Sequence, residues 1–153
     1  MHALLNDWYD ADRPSDLAPY AVWVDRFQSL GGFVFDERLA EHRRPTRSLQ
    51  LYRAAGRDAA RGMSWTPFRI VAVAFALQYR RGAELWTAHV EPVDMLAAIR
   101  NDVGGPWGEI VVDPRGVDPT PCHLPERGAW SVFDDDHAAL RLSLADSGEK
   151  HDS

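Results

Sequence analysis

Ser48-Leu49-Gln50-Leu51-Tyr52-Arg53 alternates apolar and polar residues with a period of two, the pattern of a strand with one buried face. Leu49 and Leu51 share the face turned to the core, and Arg53 falls on that same face. An arginine there needs an anionic partner or a cleft, because an unpaired buried charge is costly. Downstream, residues 54–62 are polar and Gly-punctuated, which reads as a loop. Met63-Ser64-Trp65-Thr66 is a short extended stretch with the hydroxyls of Ser64 and Thr66 on one face and an indole between them. Residues 68–80, where Val71, Ala74, Phe75 and Leu77 cluster, read as a helix started by Thr66-Pro67 and ended by Gly82. Strands are expected at 85–90 and 108–113, with a short helical turn leading into a strand over 93–100. Asp113-Pro114-Arg115-Gly116 is a turn that stops the last strand.

Upstream, residues 10–19 form a turn-rich loop carrying Pro14 and Pro19. Residues 20–30 place Tyr20, Trp23, Val24, Phe27 and Leu30 at helical spacing, and Gly31-Gly32 stops the helix. A second short helix is expected over 35–43, ending before Pro45. Helices first and strands after give an α+β class, with a helical N-terminal layer followed by a β-rich core. The chain's 153 residues suit one domain, expected over 1–133. Within it, 17–44 is helical, 46–116 is β-rich, and the Pro-rich stretch 117–133 is a wrapping arm. Residues 134–153 are expected to form a mobile acidic tail.

Charge is unevenly placed. The net charge is −6, yet the tail from Asp134 holds six acids against Arg141 and Lys150, a net −4. Residues 1–133 hold 15 basic and 17 acidic side chains, a net −2. So small an imbalance argues against nonspecific binding to a phosphate backbone, and favours a protein over a nucleic acid as any macromolecular partner. Sixteen of the 17 basic residues are arginine, a bias that points to GC-rich coding and a bacterial or phage source. The single cysteine, Cys122, makes no intramolecular disulfide and no Cys-based zinc cage, and is read as a structural thiol. The six histidines show no metal-ligand spacing; His137 beside Asp134-Asp135-Asp136 is the one place to look for a metal, and a solvated acidic run is the simpler reading. No metal is therefore expected. The first residues lack a basic stretch followed by an apolar one, and the longest apolar run, 70–77, is far short of the roughly 20 residues that span a bilayer. The expectation is a cytoplasmic protein without membrane contact.

Tyr52-Arg53, Gly62-Met63-Ser64-Trp65-Thr66 with the following Val71-Ala72-Val73-Ala74-Phe75-Ala76, and Glu109-Ile110-Val111-Val112-Asp113-Pro114 together resemble the Arg–Ser–Glu signature of NAD-dependent ADP-ribosyltransferases, in particular the small bacterial and phage-encoded type. The resemblance spans residues 49–114. It implies a split β-sheet core and NAD as co-substrate. It also implies a role for each matching residue. Arg53 would contact NAD near its phosphates and ribose, for which a guanidinium fork is well shaped. The backbone of Ala54, where the family usually has glycine, would hold the nicotinamide carboxamide. Ser64 and Thr66 would support the nicotinamide ribose and the catalytic carboxylate. Trp65 and Phe75 are both candidates for the aromatic that packs on the nicotinamide ring. Glu109 would hydrogen-bond a ribose hydroxyl and stabilise the oxocarbenium-like transition state as nicotinamide leaves. Many members that modify arginine carry Glu or Gln two positions before the catalytic glutamate. Here that position is Trp107, which points away from an arginine acceptor.

The function so implied is mono-ADP-ribosyl transfer from NAD to an unidentified acceptor, a chemistry often used by toxins and phage effectors in a host cytoplasm. Three other readings stand beside it: an NAD glycohydrolase on the same fold, a non-catalytic protein-binding module displaying some of the six tryptophans, and, more distantly, a tRNA 2′-phosphotransferase-like use of the fold. The residues also have plainer readings. Arg53 could pair with Glu109, Thr66 could be only a helix cap, and Glu109 could be a solvated residue at a strand start.

Overall fold

The computed structural model describes residues 1–11, 13–79, 82–101 and 105–124. Three helices come first: α1 (His2–Asp10), α2 (Pro14–Leu17) and α3 (Tyr20–Gln28). Helix α3 answers the expected helix at 20–30 and buries Trp23, Val24 and Phe27. The stretch expected to be all loop at 10–19 contains α2, started by Pro14 in the first helical turn, where its missing N–H costs nothing. Helix α1 lay outside every sequence expectation. Its buried stripe is only Leu4, Leu5 and Trp8, too short a run to stand out by periodicity. The three helices are tied by the Trp23 indole, which donates to the Pro14 carbonyl at 2.7 Å, and by an exposed Arg26–Asp7 ion pair at 2.7 Å.

The helix expected at 35–43 is instead a hairpin of β1 (Val34–Phe35) and β2 (Arg38–Leu39), followed by a 3-10 turn at Glu41–Arg43. Phe35 pairs with Arg38 across a two-residue turn. Asp36 and Glu37 both hold positive φ, 50° and 65°, as a type I′ turn requires. Neither residue is glycine or asparagine, so the sequence carries no ordinary sign of that turn. Glu41 then locks the segment. Its carboxylate accepts the Phe33 amide at 2.7 Å and the Arg44 guanidinium, which also donates to the carbonyls of Pro92 and Met95. These partners hold the Glu41 carboxyl below its ordinary pKa, the Arg44 hydrogen bond foremost.

The β-rich part comprises β3 (Leu49–Ala55), β4 (Ser64–Trp65), β5 (Glu84–Val90), β6 (Met95–Asn101), β7 (Gly105–Val112) and β8 (Thr120–Cys122), with α4 (Arg69–Tyr79) between β4 and β5. Three expectations need correction. Strand β3 runs on through Ala54 and Ala55, and the remaining loop has a 3-10 turn at Arg57–Ala59. Helix α4 starts at Arg69 rather than directly after Thr66-Pro67. In the stretch 93–100 only Pro92–Asp94 is a helical turn, and Met95 onward is a central strand whose two buried faces erase the alternation. Of the expected wrapping arm, β8 is described; residues 125–153, with the rest of the arm and the acidic tail, lie outside the described residues.

The strands form a five-stranded sheet in the order β2-β1-β6-β7-β4 and a three-stranded sheet in the order β3-β5-β8. Among the described residues a single bridge joins them. Tyr52 and Thr66 exchange backbone hydrogen bonds of 2.8 and 2.9 Å, so β3 and β4 touch there and part on either side. The inter-sheet core holds Leu51, Trp65, Trp86, Val90, Ile110 and Val112 among others. The other face of the larger sheet meets α1 and α3 through Trp8, Trp23, Phe27, Ile99 and Val111. Helix α4 covers the outer face of the smaller sheet through Ala72 and Val73 against Leu85, with Tyr52 packed beside them. The result is mixed α and β with a helical N-terminal layer, as the element order suggested. No helix among the described residues is long and apolar enough to cross a membrane.

Candidate functional site

A cleft of about 430 Å³ opens where β3 and β4 part around the Tyr52–Thr66 bridge, walled by α1, the α1–α2 connection and the start of α4. That volume lies within the roughly 300–1,000 Å³ of small-molecule sites. Arg53, Ala54, Ser64, Trp65, Thr66, Phe75 and Glu109 all border it, although they come from three strands and a helix.

Glu109 owes its direction to strand alternation. Its neighbours Ile110 and Val112 point into the inter-sheet core, so Glu109 and Val111 point to the helical side. Val111 is covered by the helices, whereas Glu109 is half-buried at the cleft. The Trp8 indole of α1 donates to Glu109 Oε1 at 3.1 Å. Strand β4 runs antiparallel to β7, with Ser64 opposite Val111, which brings the Ser64 side chain to the Glu109 carboxyl. Desolvation raises the Glu109 pKa above the ordinary glutamate value. The hydrogen bonds from Ser64 and Trp8 and the charge of Arg53 pull the other way without offsetting it. A carboxyl held so is half-buried and oriented by the Trp8 indole, at the fifth position of β7. It is not a solvated strand-start residue.

Arg53 does share the inward face, paired with Trp86 just as Leu51 pairs with Ala88. Its Nε donates to the Ala59 carbonyl at 3.2 Å and its Nη1 to the Ser64 carbonyl at 2.9 Å. The guanidinium thus braces β3 against the following loop and β4 while facing the cleft. Ala54 is buried beside it and pairs with Leu85.

The two aromatic candidates separate cleanly. The Trp65 ring is sunk in the inter-sheet core, and its indole donates to the Gly62 carbonyl at 2.7 Å, so it borders the cleft as a wall. Phe75, on α4, is 42% exposed and presents its ring. Thr66 is buried, and its hydroxyl accepts the Phe68 amide at 3.2 Å in a turn ahead of α4. The cap-like role foreseen for Thr66 is therefore present, one turn before the helix rather than at its start.

The sequence reading missed the N-terminal contribution. Trp8, Tyr9, Arg13 and Tyr20 border the cleft, as does Tyr52. Burial raises the Tyr9 pKa above its ordinary value, and the nearby carboxyls of Glu37, Glu109 and Asp36 raise it further. No spacing rule links position 8 to position 109, so only the helical stripe of Leu4, Leu5 and Trp8 could have drawn notice. The Trp107 side chain, and His137 with its acidic neighbours, lie outside what is described. Among the described residues no three His, Cys, Asp or Glu side chains gather to hold a metal ion. Cys122 sits half-buried on β8, away from the cleft lining.

Chemically, the cleft offers a cation, an exposed aromatic ring and an oriented, half-buried carboxyl. In its ionised form that carboxyl stabilises positive charge developing within about 3 Å far better than it could in water. Searches of protein-family models, curated proteins and solved structures match nothing to this chain.

Proposed function

We propose that the cleft binds NAD and cleaves its nicotinamide–ribose bond, passing ADP-ribose to an acceptor nucleophile. The observation that carries this reading is the convergence of Arg53, Ser64 and Glu109, distant in sequence, on one cleft at the split between the two sheets. In this reading Arg53 draws the pyrophosphate toward its wall, and the Ala54 backbone takes the carboxamide. Phe75 stacks on the nicotinamide ring, and Ser64 fixes both the ribose and Glu109, while Thr66 holds the turn beneath them. As the glycosidic C–N bond breaks, its electron pair goes to the pyridinium nitrogen and nicotinamide leaves neutral. The positive charge moves to the ribose, where Glu109 stabilises it through a ribose hydroxyl. The acceptor's lone pair then bonds to the anomeric carbon, and the acceptor's proton is lost to solvent.

A protein acceptor fits the nearly neutral residues 1–133 better than a nucleic acid does. If water is the acceptor, the same site acts as an NAD glycohydrolase. Toxin or phage-effector action in a host cytoplasm is the setting such chemistry suggests. The test is incubation of the protein with NAD and chromatographic assay of free nicotinamide, alongside calorimetric titration of NAD. Release of nicotinamide that depends on Glu109 supports the proposal. Absence of both release and binding at millimolar NAD would overturn it in favour of a non-catalytic module.

A further inference from the structure

We infer that helix α1 is part of the working site, with Trp8 a positioning residue that holds the Glu109 carboxylate in its reactive orientation. The inference rests on the NAD reading above, and it extends the site beyond residues 49–114 to the N-terminal layer.

The first support is the choice of hydrogen-bond acceptor. A buried indole N–H needs a partner, and a backbone carbonyl normally suffices. Trp23 donates to Pro14, Trp65 to Gly62 and Trp86 to Ala55, each to a carbonyl oxygen. Trp8 instead spans from the first helix to β7 and donates to a side-chain carboxylate at 3.1 Å.

The second is the rigidity of the donor. Trp8 is only 4% exposed and stands edge-on to Trp23 at 5.2 Å and to Phe27 at 5.4 Å between ring centroids. Both rings belong to α3, and the burial of Trp8 among them holds the indole against the sheet with its N–H on Glu109. Trp8 from α1 and Ser64 from β4 thus reach the carboxyl from two elements, and Arg53 supplies positive charge from β3. A carboxylate accepts at about four positions, so the Trp8 donor, with Ser64 beside it, orients the group and still leaves positions for a ligand hydroxyl. Burial would otherwise favour the neutral acid, and each donor helps to keep the ionised form accessible.

The test replaces Trp8 with phenylalanine in the full chain, keeping an aromatic ring in the packed position and deleting only the N–H donor. Trp23→Phe serves as the control, since it deletes an indole N–H in the same aromatic cluster that serves a carbonyl. The expected result for Trp8→Phe is a kcat lower by roughly 10–100-fold, as for misplacement of a catalytic group, with KM for NAD little changed. The acid limb of the pH–rate profile should move to higher pH, and Trp23→Phe should leave that limb in place. An unchanged kcat and acid limb in Trp8→Phe would overturn the inference. Should Trp8→Phe fail to fold, benzothienylalanine incorporated at position 8 keeps the bicyclic shape without the N–H and is read the same way. The Glu109 carboxyl titration followed by carbon NMR separates the two claims. A higher Glu109 pKa in the variant sustains the positioning role even where the wild-type protein releases no nicotinamide, which would sink the NAD reading alone. An identical titration sinks the positioning role.

Discussion

Gly62 lies flat against the guanidinium of Arg53, so close that a Cβ at position 62 would sit 2.3 Å from Nη2 and 2.4 Å from Cζ. The glycine is there for space, since its φ is not in the left-handed region. Arg53 can hold the carbonyls of Ala59 and Ser64, and face the cleft, only because nothing projects from Gly62.

Gly62→Ala should therefore expel the guanidinium from its seat. The side chain's far end is flexible, so the fold survives, but two charged hydrogen bonds are lost or weakened. We expect a stability loss of about 1–3 kcal/mol in denaturant unfolding. NAD affinity by calorimetry should fall about tenfold or more, as for a displaced charge contact.

Glu109→Gln should separate activity from stability. Because its pKa is raised in the folded protein, the folded state binds that proton more tightly than the unfolded chain does. The resulting stability is fully present below the unfolded pKa of about 4.3 and is lost as pH rises through the folded value. Glutamine mimics the neutral acid and still accepts the Trp8 N–H. The variant should thus unfold at a higher temperature than wild type near pH 7, with the difference vanishing near pH 4. Asp94 is also raised by desolvation, but it is common to both proteins and cancels in the comparison.

Phe75→Ala tests the exposed ring. At 42% exposure its removal should cost about 1 kcal/mol of stability or less. Ring stacking on a planar heterocycle contributes roughly 1–3 kcal/mol, so NAD affinity by calorimetry should drop at least about fivefold.

Glu37→Gly tests the hairpin. With φ at 65°, Glu37 carries backbone strain that glycine does not, on the order of 1 kcal/mol. The variant should be more stable by that order in thermal unfolding, with NAD binding unchanged.

Much of the architecture was legible because its signals were local. The alternation of Leu49, Leu51 and Arg53 marked β3 and even the inward face of the arginine, and the apolar stripe of Tyr20 to Leu30 marked α3. Where a signal depended on partners it was silent. Asp36-Glu37 make a type I′ turn without the customary glycine, and only the parallel pairing of Val34 with Ala97 explains why a strand forms there. Met95 to Ile99 look helical because both faces are apolar, which follows from their place between β1 and β7. The cleft residues of β3, β4, α4 and β7 could be chosen from motif order. Trp8 could not, since its meaning lies in a hydrogen bond to a residue 101 positions away.

The most direct measurement is the rate of nicotinamide release from NAD by wild-type protein and Glu109→Gln, with folding of both verified by circular dichroism. Measurable release by wild type and a loss of at least about 100-fold in the variant are expected, as for removal of a preorganised electrostatic group. Equal rates in the two proteins, or no release by folded wild-type protein at millimolar NAD, would contradict the NAD reading.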